Sequence, residues 1–336
     1  MKKRILIIGL VFVLLFSLVI PISISSNLKI PRQSSIKNVI TVDDEPGDAD
    51  FTSIKEAVNF SSPGDTIEVY SGFYLEDEIL ITKENVSLLG ISHELGEGDD
   101  NGKPFIKGNG TKAVFRVEAS YVIVSNFTIE NPHVKNHSSF VCGIYVAKYY
   151  DPAYIDDVTI SDCIIFNTHK GIYVTNIENI RVINNHISNC TNGGISTESL
   201  LIMGFIATGN VITDCHEGGI HYSGFGNHIN ISGNRIKNCS VGIEFSGNNM
   251  RIYGNDIENC DIGINCGGTG NIFTKNNFKN YSQIGFWFSM YLFWPGKNRW
   301  IGNYWDTWIG VGPKIILGFL IFEWTSELIN IMFLIP

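Results

Sequence analysis

The feature that most constrains this chain is an internal repeat between about residues 158 and 288. Six units read VTISDCIIFNTHKGIYV, VINNHISNCTNGGIST, ATGNVITDCHEGGIHY, ISGNRIKNCSVGIEF, IYGNDIENCDIGINC and FTKNNFKNYSQIGFWF. Each is a variant of N-x-I-x-N-C-x-x-G-I. Aligning them puts Asp162, Asn185, Asn210, Asn234, Asn255 and Asn276 in one column. Two residues on stand Ile164, Ile187, Ile212, Ile236, Ile257 and Phe278, and a glycine column holds Gly171, Gly194, Gly219, Gly242, Gly263 and Gly285. A period of roughly 23 with short alternating apolar stretches and no helical heptads is that of a β-solenoid, in which each coil contributes short strands that stack on their equivalents one coil away. Asparagine suits the bends, because it tolerates left-handed φ and its amide can bond along the stack. Leucine-rich repeats share the length but not this consensus, and propeller blades need ~40–45 residues.

The pattern resembles the right-handed parallel β-helix repeat family, pectin-lyase-like solenoids that include the copper-associated NosD proteins and carbohydrate-binding and sugar-hydrolase members. The run VITVDDEPGDADFTSIKEAVNFSSPGDTIEVYSGFYLEDEILITKENVSLLG is similar to that family's opening, a short strand and helix before the first coil. Asp50 and Thr52 are the candidate N-caps of this helix, with Ile54, Ala57 and Val58 on one face. WPGKNRWIGNYWDTWIGVGPKIILG resembles the family's C-terminal closure, where an aromatic cap covers strand edges that would otherwise be open. The resemblance implies an all-β, single-stranded right-handed parallel β-helix with a short N-terminal capping helix and a C-terminal aromatic cap.

The expected organisation is a signal peptide or N-terminal membrane anchor over 1–26, a linker over 27–37, the β-helix with its N-terminal cap over 38–288, and an aromatic cap with a hydrophobic tail over 289–336. Lys2, Lys3 and Arg4 precede an apolar run from Ile5 to Ile20, followed by Pro21 and small polar residues. That is the three-part form of an export signal, and the run is also long enough to serve as an anchor. Nine N-x-Ser/Thr sequons fit an exported chain, though three of them belong to the repeat. Twenty-four Lys and Arg against 33 Asp and Glu, a net charge of −9, offer no general attraction to phosphates, so nucleic acid is not an expected partner.

Strand alternation turns the second position after the repeat glycine away from the core. Its members are Tyr173, Ser196, His221, Glu244, Asn265 and Trp287, with Tyr145 beginning the ladder. Tyr145, Tyr173, His221, Glu244, Asn265 and Trp287 are the candidate ligand-binding residues, since aromatic, amide, acid and imidazole groups on a long face suit a polysaccharide or cell-surface polymer. The expected protein is therefore exported, secreted or anchored at the cell surface, and binds such a polymer without catalysis. The alternatives are a polysaccharide lyase, hydrolase or epimerase, a copper-handling accessory protein, and a structural envelope protein.

No catalytic residue, cofactor or metal site is assigned, and calcium and copper remain the two metals to consider. Arg235-Ile236-Lys237 matches the R-I-K element of polygalacturonases without their companion motifs, and Asp151-Pro152 has Ala153 where alginate epimerases of D-P-H type carry His. Cys190, Cys215, Cys239 and Cys260 share a column whose parallel side chains do not converge tetrahedrally on zinc. His133, His137 and Cys142, and then His216, His221 and His228, are loose groupings without soft-metal spacing. The acid-rich loops 43–50 and 94–100 offer the hard oxygen ligands of calcium, or are simply solvated.

Overall fold

A computed structural model describes residues 38–96, 98–132, 141–147, 155–198, 202–224, 228–281, 283–289, 298–305, 314–321 and 328–335, the side chains excluded at 283–289 and from 305 onward. The expected signal peptide or anchor at 1–26 and linker at 27–37 fall outside these residues, as do His133, His137 and the Asp151-Pro152-Ala153 stretch. No helix among the described residues is long and apolar enough to cross a membrane.

Three parallel sheets run the length of the solenoid. The first starts at Val39–Val42 and reaches Arg299–Ile301, and the second runs from Phe73–Leu75 to Tyr304–Trp305. The third runs from Ile79–Ile81 to Lys314–Ile321, where Leu328–Ile335 adds antiparallel to it. The chain visits the sheets in turn, once per coil, which makes the fold the expected right-handed parallel β-helix. The hydrophobic tail, which the sequence left without a structure, thus closes the third sheet as a strand pair.

Each sheet sends columns of side chains inward. Val182, Ala207, Ile231, Ile252, Phe273 and Trp300 stack in the first sheet, Ile187, Ile212, Ile236, Ile257 and Phe278 in the second, and Ile172, Ile195, Ile220, Ile243 and Ile264 in the third. All but Trp300 are buried, and the Trp300 ring stacks on Phe273 with centroids 3.9 Å apart. Trp300 therefore has the capping role expected of the aromatic segment. Ile236 faces inward, so Arg235-Ile236-Lys237 is ordinary strand.

A polar ladder and a steric constraint fix the coils in register. The buried amides of Asn185, Asn210, Asn234, Asn255 and Asn276 and the half-buried amide of Asn303 form one ladder, each Nδ2 donating to the next Oδ1 at 2.9–3.1 Å. The same oxygens accept backbone N–H groups from the preceding coil, and each Nδ2 also donates to a carbonyl, so these buried amides are satisfied. The glycine column arises from close approach. A Cβ on Gly219 would lie 2.6 Å from the Gly242 carbonyl oxygen and 2.5 Å from Ile236 Cγ2.

The first repeat unit departs from the alignment by one residue. Ile165, not Ile164, pairs with Ile187, and the Cys163 N–H, not that of Asp162, donates to Asn185 Oδ1. Asp162 instead takes a left-handed φ of 56° at the bend. The helix α1, Ile54–Phe60, buries Ile54, Ala57 and Val58 as expected, but its N-cap is Ser53. Asp50 is engaged elsewhere, accepting from the Thr41 backbone and hydroxyl, and Glu76 takes the Ile54 and Lys55 N–H groups at the helix start.

Candidate functional site

The third sheet carries the predicted outer ladder. Arg116 pairs with Tyr145, Tyr145 with Tyr173, Tyr173 with Ser196, Ser196 with His221, His221 with Glu244, and Glu244 with Asn265. Their neighbours on either side point into the core, so alternation turns this column to the outer surface.

The ladder is not uniformly open. Tyr145 and Tyr173 are 5% and 6% exposed and stack at 5.1 Å with rings 10° from parallel. With Ala113, Cys142 and Ala147 they make a small apolar cluster apart from the main core. The Tyr173 hydroxyl donates to Glu198 Oε2 at 2.8 Å, and the buried Lys170 ammonium donates to Glu198 Oε1 at 2.7 Å while lying 3.9 Å from the Tyr173 ring centroid. These tyrosines are packed ring on ring where the sequence suggested a free stacking platform.

Further along, His221, Glu244 and Asn265 are partly exposed, and Asn265 Nδ2 donates to Glu244 Oε1 at 2.8 Å. Trp287 leaves the column. The pairing slips after Ile262, so that Asn265 faces Gly285 and Trp287 stands opposite Gly267.

Lys170, Glu198 and Arg116 are members of this face that the repeat alignment does not single out. Period two would have found Glu198, which follows Ser196 by two residues. Burial opposes ionisation of Glu198, but hydrogen bonds from Lys170 and Tyr173, with the charges of Lys170 and His221, outweigh it and hold the carboxyl below its usual range. Burial first, and then Glu198, push the Tyr173 hydroxyl far up. Arg116 is paired with Glu78 and Glu118.

The cysteine column is buried, each thiol near a carbonyl two residues back in its own chain. The hydrogen bond with Cys215 is the main cause that pushes the Cys239 thiol up to about 12, and burial pushes Cys163 up to about 11. Cys239 and Cys163 stay protonated, and the buried column fills coil corners as small apolar groups do.

A family model described as "Periplasmic copper-binding protein (NosD)" matches residues 106–310, more than half of the chain. The chain belongs to the NosD family. Its solenoid is similar to that of the GH136 lacto-N-biosidase from Eubacterium ramulus. The selenomethionine derivative gives a TM-score of 0.53 at 14% identity, over 79% of this chain and 62% of that one. The native protein gives 0.52 at 14% identity, over 79% and 68%. A pectin methylesterase in complex with a hexasaccharide gives 0.38 at 13% identity, over 72% and 81%. This NosD-family chain thus spans less than two thirds of the first of these structures, and at such identities the likeness is one of fold. No curated protein matches the sequence.

Copper, named in the family's description, calls for imidazole, thiolate or thioether ligands. Among the described residues of this NosD-family chain, the groups of three His, Cys, Asp or Glu close enough to share a metal are entirely acidic, with no histidine or cysteine. Among the described residues, none of these groups offers copper an imidazole or a thiolate. Instead the two acid-rich loops, remote in sequence, meet at one end of the solenoid.

Proposed function

We propose that the outer face of the third sheet binds an extended glycan or comparable surface polymer without turning it over, and that the protein acts in the cell envelope or outside it. The observation that carries this reading is the unbroken register of His221, Glu244 and Asn265, three partly exposed groups of different hydrogen-bonding character repeating every ~4.8 Å along one face. A linear polymer laid along the stack meets an imidazole, a carboxylate and an amide in succession, while Lys170, Glu198 and the tyrosine pair give the face a rigid flank. The periplasmic character of the NosD family supports the location.

A non-catalytic role fits the state of Glu198. A glycosidase needs a protonated carboxylic acid beside the leaving group. Glu198 is held ionised with both oxygens bonded, a state that suits holding a ligand or a neighbour better than delivering a proton.

A glycan-array screen of the full-length protein tests the reading. Binding is expected, at least about tenfold weaker in His221→Ala and Glu244→Ala and unchanged in Arg251→Ala on the first sheet. Equal binding by all four proteins overturns it. The convergence of Lys170, Tyr173, Glu198 and His221 favours a second reading, a hydrolase. Chromatography of the bound glycans for shortened products separates the two.

A further inference from the structure

At the N-terminal rim, Asp43, Asp44 and Glu45 follow the first strand, and Glu94 and Asp100 come from a loop two coils' worth of chain later. Coil register joins them: Val42 lies beside Val69 and Val69 beside Gly90, and the Ser71 N–H donates to the His93 carbonyl at 3.2 Å. Carboxylate oxygens of Asp43, Glu45 and Glu94 lie within 4.8 Å of one another, and so do those of Asp44, Glu45 and Asp100.

The cluster is more than a solvated acidic loop. Asp43 is 0% exposed, and both its oxygens are buried without a hydrogen-bond donor. Asp44 Oδ1, Glu45 Oε2 and Glu94 Oε2 are in the same position. Among the described residues, no lysine, arginine or histidine forms an ion pair with any of the five acids. Asp44 is aimed by its other oxygen, which accepts the Phe73 N–H at 3.0 Å. Gly72 makes room for it, since a Cβ there would fall 1.9 Å from Asp44 Oδ1.

Ionised carboxylates only accept hydrogen bonds, so a buried set without donors requires protons or a cation. Calcium takes six to eight oxygens at roughly 2.3–2.6 Å, so two ligands of one ion are at most about 5 Å apart. Both acidic triads meet that limit.

We propose that this pocket is a calcium site, with Asp43, Glu45 and Glu94 as ligands and Asp44 and Asp100 completing it through the shared Glu45. Calcium suits it better than magnesium, because the donors are carboxylates from separate loops with no octahedral frame. The ion ties the opening loop, which leads into α1, to the loop of a later coil, and so closes the N-terminal end of the stack. The site is independent of the glycan-binding reading.

The test is calorimetric titration of EDTA-treated full-length protein with calcium, alongside its melting temperature with and without the ion. Saturable binding and a higher melting temperature are expected, with magnesium giving the weaker response. Asp43→Asn and Glu94→Gln should each weaken calcium binding by at least about tenfold, and Asp43→Asn should also melt higher than wild type in EDTA because a buried charge is gone. Asp99→Asn, outside the cluster, should bind as wild type does. Glu45→Gln, at a half-buried position, gives the same readout if Asp43→Asn does not fold. No saturable heat, a response to copper but not to calcium, or wild-type affinity in the variants overturns the assignment.

Discussion

The asparagine ladder and the acidic pocket pose the same problem, polar side chains gathered close together with at least some of them buried, and carry opposite chemistry. An amide carries donor and acceptor, so identical residues in register satisfy one another, as Asn185 through Asn303 do. A carboxylate carries acceptors alone, so Asp43 and its neighbours, brought within 4.8 Å of one another, repel. Repetition of one amide is self-sufficient, and a cluster of acids calls for something else.

The sharpest way to break the ladder is Asn234→Leu. It leaves the Asn210 N–H without its acceptor in the interior and takes the Asn234 amide from the Ala207 carbonyl, and should cost about 3 kcal/mol in urea unfolding.

On the acidic side the contrast is read through pH. The pKa of Asp43 is raised in the folded state, so the fold takes up a proton that the unfolded chain, near 3.8, has released. The sign follows from linkage: this group's contribution is fully present below about pH 4 and is lost as pH rises to about 7. In EDTA the wild type should lose on the order of 2 kcal/mol more than Asp43→Asn across that window, allowing for titration shared among the acids. Calcium should remove most of the difference at pH 7, and melting curves at both pH values check it.

Gly219→Ala tests the close approach that lets the amides stack. Its Cβ overlaps the Gly242 carbonyl, and about 2 kcal/mol of destabilisation is expected in the same urea assay. The smallest effect belongs to the outer bend. Asn259, at φ 55°, takes part in an exposed amide chain with Asn238 and Asn280. Asn259→Ala should cost about 1 kcal/mol and Asn259→Gly only tenths, which thermal melts can separate.

Much of this was legible in the residues. The asparagine and glycine columns gave the coil register from Asn185 onward, because each residue type is demanded by one local geometry. Legibility fails where two residues fit one bend equally. Asp162 resembles the asparagines it precedes, yet serves as the left-handed bend residue, and the column begins at Cys163. Ser53 outcompetes two equally plausible caps because Thr41, a strand away, has claimed Asp50. In the candidate site, alternation gave the ladder from Tyr145 to Asn265 but not the packing of its tyrosines, which depends on Lys170, Glu198 and the Cys142 cluster. Trp287 was misplaced because the pairing slips within the last regular coil. The acidic pocket was visible only as two separate loops, since their meeting depends on coil register rather than on any local pattern.

Every rung of the asparagine ladder points the same way, its N–H₂ toward the C-terminal coil and its oxygen toward the N-terminal one. Any interior coil therefore presents its neighbours with the same pair of joints. A coil could be duplicated or excised between two rungs and the joints would close again, as in other repeat architectures. The molecule is in this sense a ruler graduated in coils, and natural variation can lengthen or shorten its outer face in steps of ~4.8 Å without redesigning either end.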